Sequence, residues 1–324
     1  MTEKLKVLIL VRPFWITYPK HKAKSDTIKA IEQFADVRYW YTNGEIKTIL
    51  KTLKFQPDFI FHYDIAYGFA LSPYITGLNE IDIPKGCLVI DAHFSPPTRT
   101  KYIEDAKINL IFSITKETFL KTYPMYDDKF RWWPFSINPS IFKDHQLQKD
   151  VDFLLMGQVF DRTGKSPNRT HTYSGKYPFR EEVLSQMRDV EGFTYHPHPG
   201  HNAGNSSLVN EKYAMQLNRS KIFFTCGSKF QYPVLKFFEA PACKSLLLAE
   251  PVNDIADLGF KDGVHYIACD HTNVYEKAMY YINNDKERET VTDAGYRFLH
   301  RYHTDEERAK QFVQYLQEYL KIES

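Results

Sequence analysis

The sequence has few cysteines, no long apolar run and almost no excess charge. Its four cysteines, among 324 residues, form no Cys-x-x-Cys pair, which favours free thiols in a reducing cytoplasm over a disulfide framework or a zinc site. The apolar run at residues 7–11 is too short for a signal peptide or a membrane span. A net charge of +2 argues against broad electrostatic binding to nucleic acid. A cytoplasmic protein without a membrane span is therefore expected.

The first half of the chain alternates between two kinds of pattern. With 43% hydrophobic and 25% charged residues, the chain is expected to be globular, and its length suits two domains. Short apolar runs alternate with amphipathic stretches, which predicts a doubly wound parallel sheet. The predicted strands are residues 6–11, 37–41, 59–62, 88–91, 110–114 and 130–135, and the predicted helices are residues 25–34, 45–53, 98–106 and 116–122.

A second alternating series follows a boundary at residues 138–142 and a polar run at residues 143–150. Its predicted strands are residues 152–157, 192–195, 221–225, 245–249 and 264–268, with helices at residues 179–187 and 211–218. Two closing helices are predicted at residues 272–283 and 305–322. We therefore predict an α/β chain with two Rossmann-like domains, residues 1–142 and 150–304, that face each other across a cleft.

One predicted helix carries two charges on an otherwise apolar surface. Residues 231–249 predict a loop, a short helix beginning near Pro233 and a buried strand. Lys236 and Glu239 are three residues apart and so share one face of this helix. They form either an ion pair on an exposed strip or part of a ligand site, since burying charge needs a partner. A helix N-terminus also offers free N–H groups to a phosphate.

The string K-F-F-E-A-P-A-C at residues 236–243 resembles the donor-nucleotide element of GT-B glycosyltransferases, especially the spore-maturation (CgeB-like) group. Further resemblances lie at residues 88–93, 108–113, 133–142, 151–157 and 295–304. The resemblance implies a GT-B fold, with the helix at residues 305–324 packed on the first domain. It also implies that Glu239 binds the ribose of a UDP- or GDP-linked sugar. Many retaining relatives hold the donor sugar with a glutamate eight positions earlier, where this chain has Gln231.

Several other residues are candidates for donor binding. Lys236 and the helix start near Tyr232 are expected to stabilise a diphosphate. A fixed cation and backbone N–H groups of this kind can take the place of a metal ion. The segment from Gly157 to Ser166 misses the P-loop spacing, with six residues instead of four between its glycines. Its charges can still contact a diphosphate. The remaining donor-side candidates are Ser228, Gly157, Arg162, Lys165, Arg169 and Arg180.

The histidines of H-P-H-P-G-H, at residues 196–201, are open to three interpretations. They form a metal site, a nucleotide-contacting loop that includes His198, or a plain surface loop. The pair Asp150 and Asp152 lies at a strand entrance and is interpreted as chance. No catalytic metal and no cofactor other than the nucleotide sugar are expected.

Candidates in the first domain follow its strands, because ligands of parallel sheets bind at the carboxyl ends. Asp91 and His93 are the catalytic candidates, either binding hydroxyls or deprotonating an acceptor, with a structural strand-end pair as the alternative. Arg12, Phe14 and Trp15 are expected on the acceptor side.

The predicted activity is transfer of a hexose from a nucleotide sugar to an acceptor hydroxyl, independent of metal and with retention of configuration. Two other classes stay open: a nucleotide-sugar binding protein that has lost activity, and a nucleotide-sugar epimerase of the same fold. The acceptor is a glycan, a protein, a small molecule or a modified DNA base. The sequence does not choose among these acceptors.

Overall fold

A computed structural model describes residues 4–161, 172–199 and 208–323. The chain forms two compact units. The first comprises Met1–Thr17, Lys24–Pro134 and Asp305–Ser324, and the second comprises Tyr18–Ala23 and Phe135–Thr304. The main segment of the second unit begins at Phe135, whereas the predicted boundary lies near residue 142. The second unit also includes a short segment from the N-terminal part of the chain.

The first unit has eight strands among its described residues: β1 Lys6–Leu10, β2 Asp36–Trp40, β3 Gly44–Glu45, β4 Phe59–His62, β5 Ile75–Thr76, β6 Lys85–Val89, β7 Leu110–Ser113 and β8 Phe130–Trp132. Six of them form a parallel sheet in the order β2-β1-β4-β6-β7-β8, and β3 pairs with β5 in a separate small sheet. The chain adds β2 on one side of β1 and the later strands on the other, so the sheet is doubly wound, as predicted. The helices are α1 Phe14–Thr17, α2 Lys22–Ala30, α3 Ile46–Leu53, α4 Ala66–Phe69, α5 Pro96–Asp105 and α6 Glu117–Thr122.

The central strands of this sheet are buried on both faces, as parallel sheets require. Every residue of β4, β6 and β7 is buried. One bound predicted from the sequence is wrong beside two candidate site residues. β6 ends at Val89, two residues before Asp91, so Asp91 and His93 lie in a turn rather than at the end of a strand.

The strands of the second unit are β9 Val151–Gly157, β10 Phe193–Pro197, β11 Ser220–Thr225, β12 Leu246–Ala249 and β13 Ile267–Ala268. They form a parallel sheet in the order β10-β9-β11-β12-β13, which confirms the second Rossmann-like domain. The two halves of this sheet extend in opposite directions from β9 and β11, so a ligand is expected at the carboxyl ends of these two strands. The helices are α7 Pro178–Met187, α8 Asn210–Arg219, α9 Lys236–Ala242, α10 Asn253–Asp257, α11 Val274–Asn283 and α12 Asp285–Tyr302.

Helix α12 was not predicted from the sequence. Its centre contains Gly295 and a β-branched run at residues 290–292, which lower intrinsic helix propensity. Val291, Gly295 and Leu299 form a buried stripe at four-residue spacing. A Cβ at Gly295 would lie 2.5 Å from the carbonyl oxygen of His265, so the helix packs closely against the loop between α10 and β13. Tertiary packing therefore overrides the local preference.

The last helix, α13 Asp305–Glu323, belongs to the first unit. The indole Nε1 of Trp133 donates to the carbonyl of Arg308 at 2.8 Å, and Nε of Arg308 donates to the carbonyl of Pro134 at 3.0 Å. The ring of Phe312 lies 4.9 Å from the rings of Phe61 and Phe112 on the sheet. Across the described residues, no helix is both long enough and apolar enough to span a bilayer.

Candidate functional site

A glycine and two cations meet at the carboxyl edge of the second sheet. Gly157 ends β9 with φ +127°, a backbone conformation that favours glycine. A Cβ at this position would lie 3.2 Å from Cε of Lys236 and 3.3 Å from Nη1 of Arg180. These three residues, all predicted donor-side candidates, thus come together from distant parts of the sequence. We call them the Gly157 cradle.

Arg180 is held rigidly beneath this edge. It lies in the first turn of α7, after Pro178 at the first helical position, and its side chain is 3% exposed. Nη2 donates to Oγ1 of Thr225 at 3.1 Å and to the carbonyl of Cys226 at 3.4 Å. The guanidinium lies over the ring of Tyr177, 4.4 Å from its centroid. Nε is buried and makes no hydrogen bond among the described residues. A buried cation with an unused donor is suited to an anionic ligand.

Lys236 and Glu239 share one face of α9, as predicted, and Tyr213 lies beside both. Glu239 is 6% exposed, so the two charges do not lie on an exposed strip. The Tyr213 hydroxyl donates to Oε2 of Glu239 at 3.0 Å. Nζ of Lys236 lies 3.5 Å from the same hydroxyl and 5.2 Å from the centroid of the tyrosine ring. The carboxylate and the ammonium group are therefore positioned by a common neighbour.

Burial shifts the proton equilibria of this cluster. Desolvation lowers the pKa of Lys236, the charge of Glu239 opposes this shift and the charge of Arg180 adds to it, and together they bring the pKa to about 8. Burial, followed by the charge of Glu239, raises the pKa of Tyr213 well above its usual value. Tyr213 therefore stays protonated and donates to the carboxylate at all ordinary pH values.

Tyr213 was not among the site residues predicted from the sequence. The predicted helix at residues 211–218 included it, but the contact with Glu239 joins positions 26 residues apart in the chain. No local spacing signals such a contact. The amphipathic pattern of α8 identifies only the buried face, on which Ala214 and Leu217 lie next to the tyrosine.

The loop before α9 corrects one prediction. α9 begins at Lys236, three residues after Pro233, and is seven residues long. Tyr232 therefore precedes the helix, is buried, and does not form a helix N-terminus. Ser228 and Gln231 both have left-handed backbones, with φ of 60° and 54°. The Gln231 amide Nε2 donates to the carbonyl of Ser228 at 3.3 Å, which closes the loop on itself.

The histidine segment lies partly beside the Gly157 cradle. The backbone N–H of His198 donates to the carbonyl of Gly157 at 3.1 Å, and its Nε2 lies 3.5 Å from Nζ of Lys20. Nε2 of His196 lies 3.1 Å from the amide nitrogen of Gln216. In the part of the chain that the structure describes, no three His, Cys, Asp or Glu side chains are grouped to hold a metal ion. Four predicted residues lie outside the described residues: Arg162, Lys165, Arg169 and His201.

In the first unit, Asp91 and His93 lie in the turn between β6 and α5. The N–H of Phe94 donates to the carbonyl of Asp91 at 2.9 Å, which closes the turn. The Tyr67 hydroxyl donates to Oδ2 of Asp91 at 2.5 Å. Both Asp91 and His93 are half-buried. The structure thus places these two candidates in one turn at the carboxyl edge of the first sheet.

A buried ion pair supports this turn. Nη1 of Arg99 lies 2.9 Å from Oδ1 of Asp64, and both side chains are inaccessible to solvent. The same carboxylate accepts from the N–H groups of Ala66 and Ile90 at 2.9 and 2.8 Å. Nε of Arg99 donates to the carbonyl of Phe94 at 3.0 Å. Burial raises the pKa of Asp64, and the charge of Arg99 opposes that rise.

His62, at the end of β4, is a structural residue. Its Nδ1 lies 2.6 Å from the Tyr102 hydroxyl and its Nε2 lies 2.9 Å from the carbonyl of Pro73. Because a carbonyl only accepts, Nε2 carries the proton and Nδ1 accepts from the tyrosine. Burial lowers the pKa of His62 to about 4, so the ring is neutral at pH 7.

The predicted acceptor-side residues differ in their surroundings. Phe14 is 1% exposed and stacks on Tyr63 with centroids 5.2 Å apart, so its ring packs in the core. Trp15 is half-buried. Nε of Arg12 donates to the carbonyls of Phe69 and Ser72 at 2.9 and 3.1 Å. Arg12 therefore joins loops at the strand ends.

Comparison with known proteins gives a family match in the second half of the chain. Residues 161–314 match a family model described as glycosyl transferase-like (Glyco_trans_1_2). The matched segment includes Arg180, Lys236 and Glu239, and it excludes Asp91 and His93. No curated protein matches the chain.

Several solved structures share the fold. A glycosyltransferase from Rickettsia africae ESF-5 is 11% identical, with a TM-score of 0.61 over 98% of this chain and 99% of its own. A sucrose-phosphate synthase from Thermosynechococcus elongatus is 10% identical, with a TM-score of 0.64 over 99% and 100% of the two chains. HepE from Anabaena, solved in complex with UDP and glucose, is 9% identical, with a TM-score of 0.58 over 97% and 100%. These likenesses show a GT-B fold.

Proposed function

We propose that this chain, a glycosyltransferase with the GT-B fold, transfers a hexose from a UDP- or GDP-linked donor to an acceptor hydroxyl. The transfer is independent of metal, retains the anomeric configuration and takes place in the cytoplasm. The second unit binds the donor, and the first unit binds the acceptor. Asp91 and His93 are assigned to the acceptor hydroxyl, as hydrogen-bond partners or as the base that takes its proton.

The observation that carries the proposal is the Gly157 cradle next to Glu239. Two cations, Arg180 and Lys236, come within 3.3 Å of the position that a Cβ of Gly157 would occupy, so the glycine allows both side chains to meet at the end of the strand. Glu239 and Tyr213 follow on the same face of the site. Cations suit the diphosphate of a nucleotide sugar, and a carboxylate suits the two ribose hydroxyls. The HepE structure, with UDP and glucose bound, supports a donor of this class.

The cradle can supply the chemistry of the leaving group. A nucleoside diphosphate gains negative charge as its bond to the sugar breaks, so fixed cations stabilise the transition state more than the ground state. Arg180 is rigid, since Thr225 and Tyr177 hold it. This supports transfer without a metal ion. Retention is supported only by the family resemblance of residues 236–243. The second residue typical of many retaining relatives, a glutamate eight positions before Glu239, is replaced here by Gln231.

Turnover assays test the proposal and separate its alternatives. UDP- and GDP-linked sugars are first screened by thermal shift, since a ligand of the folded state raises apparent stability. The bound donors are then incubated with and without glycans, peptides, small hydroxylated molecules and hydroxymethylated DNA. Nucleotide release that requires an acceptor supports the transferase, and NMR of the product gives its anomeric configuration. Interconversion of the donor sugar would instead show an epimerase, and binding without turnover a binding protein.

Lys236 gives nucleotide binding a pH dependence. Its pKa of about 8 means that the ligand-free protein loses this charge above pH 8, whereas a bound diphosphate favours the charged form. UDP affinity is therefore expected to be constant near pH 7 and to fall by up to about tenfold per pH unit above pH 8. Calorimetry at pH 7, 8 and 9 measures this. Lys236→Arg, which stays charged, should remove most of the decline, and an equal decline in both proteins would contradict the assignment.

A further inference from the structure

Two exposed aromatic rings lie together at the carboxyl edge of the first sheet. Tyr67 is 48% exposed and Phe94 is 37% exposed, although large apolar side chains are usually covered. Their centroids are 4.3 Å apart and their planes are tilted by 36°. Tyr67 follows β4 and Phe94 follows β6, which are neighbouring strands of the sheet. We call these residues the Tyr67–Phe94 pair.

The backbone that carries Tyr67 is strained. Tyr67, Gly68 and Phe69 have φ of 57°, 65° and 61°, so three consecutive residues occupy the left-handed region. Side chains other than glycine rarely adopt this conformation, and it persists only where the surroundings enforce it. Here the carbonyl of Phe69 accepts from Nε of Arg12 at 2.9 Å, and Asp91 holds the Tyr67 hydroxyl. The strain keeps an aromatic ring at the surface beside a carboxylate.

The charges around the pair favour a neutral, hydroxylated ligand. Asp91 accepts from the Tyr67 hydroxyl at 2.5 Å, so its carboxylate borders the ring surface. Burial, followed by the charge of Asp91, raises the pKa of Tyr67, which therefore remains a hydrogen-bond donor. Arg99 lies beneath the pair, but it is buried and paired with Asp64. A bordering carboxylate disfavours the phosphates of a nucleic acid and can accept hydrogen bonds from hydroxyls.

We propose that the Tyr67–Phe94 pair is the stacking surface for a pyranose ring of a carbohydrate acceptor. A pyranose has an apolar C–H face and a rim of hydroxyls, which match two aromatic rings and an adjacent carboxylate. Asp91 binds a hydroxyl of the stacked ring. This inference rests on the proposed transferase function for the role of the ligand as acceptor, and it names that acceptor as a glycan.

Saturation-transfer NMR on the full chain tests this inference. The probes are the methyl β-pyranosides of glucose, galactose and N-acetylglucosamine, with a single-stranded thymidine oligonucleotide as the competing class. At least one pyranoside should receive saturation, strongest at the protons of its C–H face. Phe94→Ala and Tyr67→Ala should each weaken that signal about fivefold, and Phe94→Trp should retain it. The matched control, Tyr275→Ala at an exposed tyrosine of the second unit, should leave it unchanged.

Three outcomes would overturn the inference: no saturation of any pyranoside, unchanged saturation in Phe94→Ala, or saturation of the thymine protons alone. A UDP titration of the same variants separates this failure from failure of the proposed function. Wild-type binding of UDP without binding of any pyranoside would contradict the stacking surface and leave the donor site standing. Binding of a pyranoside by a protein that does not bind UDP would contradict the donor site and leave the stacking surface standing.

Discussion

Replacing Arg180 with methionine is expected to lower nucleotide affinity by about 2–5 kcal/mol, the scale seen when one partner of a buried charge pair is removed. Methionine keeps much of the arginine's length and apolar volume, so the change removes mainly the charge and its donors. Arg180 is 3% exposed, and its Nε makes no hydrogen bond among the described residues. Calorimetric titration with UDP and GDP measures the loss.

The same helix offers a matched control for this change. Arg188, at the end of α7, pairs with Asp161 at 2.8 Å. Arg188→Met makes the same chemical change away from the cradle, and nucleotide affinity should then stay within about 0.5 kcal/mol of wild type. Melting of the ligand-free variants checks that both fold. Similar affinity losses in the two variants would show that Arg180 does not contact the nucleotide.

Replacing Arg99 with methionine is expected to destabilise the first unit by about 3–5 kcal/mol. The variant leaves the Asp64 carboxylate buried without its ion-pair partner, and burial already raises the pKa of that carboxyl. It also removes the hydrogen bond from Arg99 to the carbonyl of Phe94, so the turn with Asp91 and His93 loses support. The four tryptophans, residues 15, 40, 132 and 133, all lie in the first unit. Tryptophan fluorescence during urea unfolding therefore reports this unit selectively.

Lys101→Met is the control for the stability prediction. Lys101 lies on the same helix, α5, and pairs with Asp105 at 2.7 Å on the exposed surface. An exposed pair of this kind contributes at most about 1 kcal/mol, so this variant should unfold close to the wild-type midpoint. Replacing Asp64 and Arg99 together, by leucine and methionine, should cost less than the sum of the single changes. A shift for Arg99→Met no larger than that of Lys101→Met would contradict a supporting role for the pair.

Most residues of the proposed donor site carry local signals in the sequence. Two charges in an otherwise apolar helix singled out Lys236 and Glu239, and the near-miss P-loop segment included Gly157. Arg180 was a candidate because it opens a helix after a strand. The bound of α9 was wrong, since Pro233 suits a first helical position but lies in the preceding loop. The residue pattern alone does not determine which of several neighbouring residues begins a helix.

The remaining features depend on contacts between distant residues. Tyr213 reaches Glu239 from another helix, and Asp64 meets Arg99 across 35 positions in the chain. Helix α12 forms because Gly295 permits close packing, against its own propensity. Exposure also depends on tertiary packing: Phe14, which was predicted on the acceptor side, is in the core, whereas Phe94 is at the surface. Tertiary packing determines all of these features, and no local spacing of residues in a single sequence indicates them.

The most direct test of the donor site is calorimetric titration of UDP and GDP into wild-type protein, Glu239→Ala and Glu211→Ala. Glu211 is an exposed glutamate on α8, the helix that carries Tyr213, and serves as the matched control. Glu239→Ala is expected to lose about 1–3 kcal/mol of nucleotide binding, the scale of hydrogen bonds to a charged group, and Glu211→Ala should bind like wild type. Unchanged nucleotide affinity in a folded Glu239→Ala protein would contradict the donor site.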